Sequence, residues 1–169
     1  MPINQAFLGE FGHELDTTRK VISRIPDDKL GWKPHEKSMT LGQLASHVAE
    51  MYNWGEVTMK VDELDLAPPG GKKWEGFAGK STAEIVARLE ANAAAFQAAL
   101  AAATDDAHWM KVWTLKMGGQ AVFSMPRVGC IRGMVMNHIV HHRGQLSVYL
   151  RMLDIPVPSL YGPSADEQS

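Results

Sequence analysis

Hydrophobic residues recur along the chain at steps of three and four positions, and this spacing marks one buried face of an α-helix. The pattern holds over four long segments, residues 4–25, 41–61, 82–103 and 128–153. Pro26 ends the first of them, because proline cannot continue a helix. Long connectors separate the first helix from the second and the second from the third. The pattern therefore predicts an all-α fold, namely a four-helix bundle with crossover connections.

The starts of the second and third helices carry capping signals. Thr40 is followed three positions later by Gln43, and Ser81 is followed in the same way by Glu84. In such a capping box the hydroxyl accepts a backbone N–H of the first turn, and the longer side chain reaches back to the N-cap N–H. Both helices are therefore predicted to begin directly after these hydroxyl residues.

The hydrophobic period changes between the third and fourth helices. Residues 109–117 alternate between apolar and polar positions, Gly118 and Gly119 follow, and residues 120–123 resume a strand-like composition. Two short strands around a glycine turn are typical of a β-hairpin. We therefore expect a short β-hairpin between helices three and four, and an irregular loop is the alternative.

Residues 62–80 form the least regular stretch of the chain. Proline and glycine doublets at residues 68–71 rule out a helix there. A loop of this length in a compact domain is usually functional or mobile. Its Trp74 and Phe77 could cover a pocket, although the same side chains could equally serve to pack the loop.

Length and composition bound the class of protein. The 169 residues fit one domain, 1–169, with a frayed tail at 164–169, and 45% hydrophobic and 21% charged residues are ordinary globular values. A net charge of −2 without a basic run gives no basis for binding nucleic acid or a membrane surface. The N-terminus lacks the apolar stretch of a signal peptide, and no apolar run reaches the length of a membrane span. The lone Cys130 suits a reducing cytoplasm, where inert packing is its expected role.

Three of the seven histidines, His138, His141 and His142, fall within a stretch of five residues in the fourth helix. At about 100° per residue, His138 and His142 lie one turn apart on the inward face, whereas His141 lies about 100° away. Such rings can be core histidines that each hydrogen-bond to a separate partner, or two ligands of one metal ion. His47 is the third candidate, because it lies on the flank of the second helix's buried stripe, where a side chain can face a cleft.

Three imidazoles from two helices form a nitrogen donor set for a divalent ion and leave a coordination position for water or substrate. Zn²⁺ and Ni²⁺ suit this set, and Fe²⁺, Co²⁺ and Cu²⁺ are also compatible with it. A closed structural zinc site would need a fourth ligand, and Cys130 lies about 12 Å from His138 along the helix axis. Sequence patterns of zincin proteases, CxxC zinc sites, EF-hands, di-iron bundles and phosphate-binding loops are absent. An open site is the pattern of a reactive metal.

Three segments, 40–47 (TLGQLASH), 137–146 (NHIVHHRGQL) and 157–167 (VPSLYGPSADE), carry a resemblance that extends over nearly the whole chain. They resemble the DinB-like (DNA-damage-inducible) four-helix bundle superfamily. In such proteins the metal ligands are one histidine of the second helix and both histidines of an HxxxH motif. These positions match His47, His138 and His142 here. His141 matches an additional histidine beside the last ligand and stays outside the predicted ligand set.

The resemblance implies a metal-dependent activity more than a particular reaction. Relatives include metal-dependent hydrolases, and transferases and isomerases that use low-molecular-weight thiols such as mycothiol or bacillithiol; homodimers are common. The resemblance thus implies a hydrolase, or a thiol-dependent S-transferase or isomerase, that acts on a small electrophilic molecule. The alternative is a non-catalytic metal-binding bundle with a structural role or a role in sensing metal or stress.

Two residues near the predicted ligands are candidates for catalytic or orienting roles. Glu50 lies one turn beyond His47, and Gln145 lies one turn beyond the last predicted ligand, so either could orient a ligand or the nucleophile. The alternatives are a surface glutamate and a buried amide bonded to the backbone. Trp54 and the loop residues 68–74 are candidates for the wall of a substrate pocket.

Overall fold

The computed structural model of the protein describes residues 1–167. It is mostly helical, and its helices are α1 (Ile3–Ile22), α2 (Leu41–Lys60), α3 (Thr82–Ala102), α4 (Asp106–Met110), α5 (Arg127–Gly129) and α6 (Asn137–Met152). A π-helical segment, Cys130–Met136, joins α5 to α6. The predicted helical class is confirmed, whereas the finer four-helix arrangement stays a prediction. Within residues 1–167, every helix is too short or too polar to cross a membrane.

The capping signals place the starts of α2 and α3 as predicted. Thr40 accepts the Gln43 N–H, and the Gln43 side chain accepts the Thr40 N–H, which completes the capping box. At α3 only half of the box forms, because the Glu84 carboxylate accepts the N–H of Lys80 rather than that of Ser81. Capping satisfies backbone donors that the helix itself leaves free.

Helices α2 and α3 approach closely where a glycine faces an aromatic ring. A Cβ added at Gly55 would lie 2.5 Å from ring atoms of Phe96. Phe96 also meets Phe11 of α1 edge-to-face at 5.3 Å between ring centroids, and Phe11 meets Tyr52 of α2 at 5.8 Å. These contacts pack α1, α2 and α3 around one core and hold the helix that carries His47.

A small three-stranded sheet lies beside the helices. Its strands are β1 (Glu63–Asp65), β2 (Val112–Met117) and β3 (Gln120–Pro126), and β2 pairs in parallel with β1 and antiparallel with β3. Gly118 and Gly119 turn the β2–β3 hairpin at φ values of 62° and 80°, which glycine adopts without strain.

The sheet confirms the predicted hairpin and corrects two details. Trp109, which the sequence assigned to the first strand, is fully buried on α4. Strand β1 lies inside the stretch 62–80, which was expected to be an irregular loop. A strand of three residues has no periodicity of its own, and this one forms through pairing with β2 about 50 residues later in the chain.

The fourth predicted helix is not a continuous α-helix. Residues Cys130–Met136 are π-helical, so side chains there do not follow the 100° step assumed from the sequence. The regular α-helix begins at Asn137, and the four-residue spacing of His138 and His142 falls entirely within it.

A buried ion pair joins α6 to α1, and the sequence pattern did not predict it. Arg143 is 1% exposed and Glu14 is 7% exposed. One Arg143 nitrogen, Nη1, donates to the Glu14 carbonyl at 2.9 Å and to Thr18 Oγ1 at 3.1 Å. The other, Nη2, donates to Glu14 Oε2 at 2.5 Å and to the Tyr161 hydroxyl. The guanidinium is thus surrounded by acceptors, which burial of a charge requires.

The C-terminal segment was expected to fray from residue 164, but its described part is held in place. Asp166 accepts from Arg151 and from the backbone N–H of Val157, and Glu167 accepts from the N–H of Ser159. The bond from Arg151 attaches this segment to α6, and the Tyr161 hydroxyl, which donates to Glu14, attaches it to α1. Residues 168–169 lie outside the described part of the chain.

Glu14→Gln is expected to lower the free energy of unfolding by about 3–5 kcal/mol, because it leaves the buried Arg143 guanidinium without a counter-charge. Glu10 provides the matched control one turn earlier on α1, since it pairs with Arg132 where both side chains are partly exposed. Glu10→Gln should cost less than about 1 kcal/mol. Urea denaturation measures both, and equal effects would contradict the structural role of the buried pair.

Candidate metal centre

The rings of His47, His138 and His142 converge at one point between α2 and α6. His47 Nε2 lies 3.4 Å from His138 Nε2, and His142 Nε2 lies 2.8 Å from the same atom. Ligand atoms of the three rings all lie within 4.8 Å of one another. The alternative of three separate core histidines, each with its own partner, does not describe this arrangement.

These distances fit a shared metal ion. Imidazole nitrogens bind divalent ions at about 2.0–2.1 Å, so two ligands at a tetrahedral or octahedral angle stand about 2.8–3.4 Å apart. The two measured Nε2 separations lie at the limits of that range. Ring nitrogens that carry no hydrogen atom cannot hydrogen-bond to one another. A cation at the point where they meet would be bound by their lone pairs instead.

The outer ring nitrogens have partners that orient two of the rings. His142 Nδ1 lies 2.7 Å from Gln145 Oε1, and His138 Nδ1 lies 3.3 Å from the carbonyl oxygen of Met134. Both partners are acceptors, so Nδ1 carries the hydrogen and Nε2 presents its lone pair to the centre. Gln145 is exposed and bonds to a ring, which differs from the buried, backbone-bonded amide considered from the sequence.

Burial disfavours protonation of two of the three rings, those of His47 and His142. Desolvation lowers the pKa of His47 to about 4, and the neighbouring His142 and His138 lower it further as potential like charges. Burial also lowers the pKa of His142. Both rings are therefore unprotonated near pH 7, as metal coordination requires.

Glu50 is buried rather than lying at the surface, and α3 holds it in place. The residue is 4% exposed, and its Oε1 accepts Arg88 Nε at 2.6 Å and Asn92 Nδ2 at 3.4 Å. Neither partner of Glu50 was predicted from the sequence. Their four-residue spacing on the predicted third helix was the available signal, since it places them on the same side of that helix.

A cavity of about 420 Å³ lies beside His47. Trp54 and Trp74 line it, and their rings meet edge-to-face at 6.3 Å between centroids. Phe77 and Glu50 line it as well. Of the loop residues 68–74 proposed for the pocket wall, Trp74 is the one that borders this cavity.

Two other residues considered from the sequence, His141 and Cys130, are not part of the group of three rings. His141 is exposed, and its ring centroid lies 4.8 Å from that of His142. Cys130 is buried, its Sγ lies 3.8 Å from Thr58 Oγ1, and burial raises the pKa of its thiol. A raised thiol pKa disfavours the reactive thiolate, in agreement with a packing role for Cys130.

The metal-free protein should lose stability as the pH falls from about 6.5 towards 4. His47 has a folded-state pKa of about 4, below its ordinary value, so in this window the unfolded chain binds more protons than the folded one. His47→Gln should therefore flatten part of the pH dependence of the unfolding free energy. His35→Gln, at an exposed histidine, is the control. An unchanged slope in His47→Gln would contradict the burial of a neutral ring.

Known proteins resemble this chain in sequence and fold. The sequence model of the DinB family matches residues 1–169. The uncharacterized protein YrdA of Bacillus subtilis strain 168 is 29% identical over 162 residues, which are 95% of this chain and 89% of that protein. A DinB-like protein from Bacillus cereus ATCC 10987 has a TM-score of 0.70 at 23% identity, with 93% of this chain and 97% of that chain covered. The DinB-like protein YjoA from Bacillus subtilis has a TM-score of 0.68 at 16% identity, with 92% and 96% covered. Because the family match spans the whole chain, this protein belongs to the DinB family.

Proposed function

We propose that the protein is a metal-dependent enzyme whose His47, His138 and His142 hold one divalent ion and promote nucleophilic attack on a small electrophilic substrate. The convergence of the three Nε2 atoms carries this proposal. A divalent ion held there supplies Lewis acidity, which makes water or a low-molecular-weight thiol nucleophilic near neutral pH. Hydrolysis and thiol-dependent S-transfer or isomerisation are the two reaction classes that follow.

The surroundings of the rings favour a reactive site over a closed structural one. Three neutral nitrogens leave an ion with open coordination positions, and the cavity beside His47 gives a small molecule access to them. The non-catalytic alternative, a structural or sensing bundle, would not need a cavity walled by Trp54 and Trp74.

Gln145 and Glu50 support the site in different ways. Gln145 fixes the ring of His142 by accepting its Nδ1 hydrogen. Glu50 lines the cavity, and its carboxylate is held by α3 while it faces the space that a substrate would occupy. It is thereby suited to accept a proton or to orient the nucleophile.

Zn²⁺ or Ni²⁺ is the ion proposed here, because three imidazoles suit both and neither requires thiolate or carboxylate ligands. We further propose that the full chain forms a single metal-binding four-helix bundle domain. The cytoplasm is the proposed location, in line with the free thiol of Cys130. A homodimer is proposed from the resemblance to the DinB-like superfamily alone.

His138→Ala should abolish stoichiometric metal binding, because it removes the ring that contacts both other histidines. His141→Ala is the matched control on the same turn of α6 and should retain the metal. Elemental analysis of untagged protein measures metal content, and hydrolase and thiol-transfer screens of the same samples measure turnover. Full turnover in metal-free His138→Ala protein would contradict the proposal.

Gln145→Ala should weaken metal binding by about 10- to 100-fold, because the ring of His142 loses the acceptor that orients it. Val148→Ala changes another exposed residue of α6 and should leave the affinity unchanged. Titration of the metal against a competing chelator gives both affinities. Equal affinities of the two variants would show that the Gln145 contact does not support the centre.

A further inference from the structure

The cavity beside His47 combines apolar walls with one buried carboxylate. Trp54, Trp74 and Phe77 supply aromatic surface, and Glu50 supplies the charge. Aromatic side chains stack favourably on flat rings, so these walls select an apolar and planar ligand group.

The two oxygens of Glu50 are used unequally. Oε1 accepts both protein donors, Arg88 Nε at 2.6 Å and Asn92 Nδ2 at 3.4 Å. Within residues 1–167, Oε2 accepts no hydrogen bond. It is also not fully buried, so it remains accessible. It is therefore the oxygen of Glu50 that a ligand can reach. A carboxylate oxygen in such a place gains most from an N–H or O–H donor.

We infer that this cavity binds its substrate through an aromatic group that carries an N–H or O–H donor directed at Glu50 Oε2. The inference rests on the proposed function and names the substrate class of that site. Three cations, Lys72, Lys73 and Arg88, line a neighbouring cavity that Glu50 also borders, and none of them lines this one. Arg88 pairs with Glu50, and Lys72 lies 3.9 Å from Glu75. Apart from His47, Glu50 is the acidic or basic side chain among the residues of 1–167 that line this cavity.

Indole and benzofuran provide the test, because they have the same shape and differ in that the N–H donor of indole is replaced by an oxygen acceptor. Isothermal titration calorimetry of the metal-containing protein with each probe gives the two affinities. A hydrogen bond to a charged group contributes about 1.5–3 kcal/mol, so indole should bind about 10- to 100-fold more tightly.

Three variants test whether the preference for indole arises in the cavity. Glu50→Gln places an amide where the free oxygen stood, so the preference for indole should disappear or reverse. Glu90→Gln is the matched control, since Glu90 also pairs with an arginine of another helix, Arg19, but lies outside the cavity. Trp74 lies in a loop, so Trp74→Ala is expected to leave the fold intact. It should weaken the binding of both probes by a similar factor.

Equal affinities for indole and benzofuran in the unaltered protein would overturn the inference. Metal analysis of the same samples separates the two proposals. Metal-containing protein without a preference for indole contradicts this inference alone. Protein that binds no metal contradicts the proposed function.

Discussion

The buried guanidinium of Arg143 is the contact on which the geometry of the centre depends. A buried charge must be surrounded by partners, so α6 can take only the rotation that places Arg143 against Glu14 and Thr18 of α1. His142 precedes Arg143 and, at about 100° around the helix, faces α2 instead. The hydroxyl of Tyr52 donates to the same Thr18, and burial raises the pKa of this phenol to about 12. One polar network thus fixes the rotation of both α2 and α6, and with it the meeting of their histidines.

The π-helical segment before α6 gives the centre a second constraint. A π-helix changes which backbone carbonyls are paired within the helix, and such segments are frequent at functional sites. The carbonyl of Met134, inside the segment, lies 3.3 Å from His138 Nδ1. The orientation of this ring therefore depends on the local backbone, whereas the ring of His142 depends on the side chain of Gln145. The rings of two histidines one turn apart in the candidate centre are thus oriented by different means.

How much could be predicted from the sequence depended on whether the signal was local. Two signals act over only a few residues, and the structure has both features. The four-residue spacing of His138 and His142 puts their rings on one face of a helix, and the glycine pair at 118–119 forms a turn. Glu14 was missed because a charged residue on a helix is assigned to the surface until its partner, here 129 positions away, is known. Glu50 was missed as a buried residue for the same reason. The π-helical segment has no periodicity that distinguishes it from an α-helix in sequence.

The small sheet explains how an irregular loop can provide a wall of the cavity. The carboxylate of Asp65, at the end of β1, accepts the backbone N–H groups of Gly118 and Gly119 in the hairpin turn and that of Ala67 in the loop. The N–H of Trp74 then donates to the carbonyl of Leu66 at 2.7 Å. The loop is thus tied to the hairpin at its beginning and folded back on itself at Trp74. The three histidines come from helices, whereas the aromatic wall of the cavity comes from a loop braced by the sheet. Substitutions in the loop can therefore alter the wall of the cavity while the three histidines stay in place.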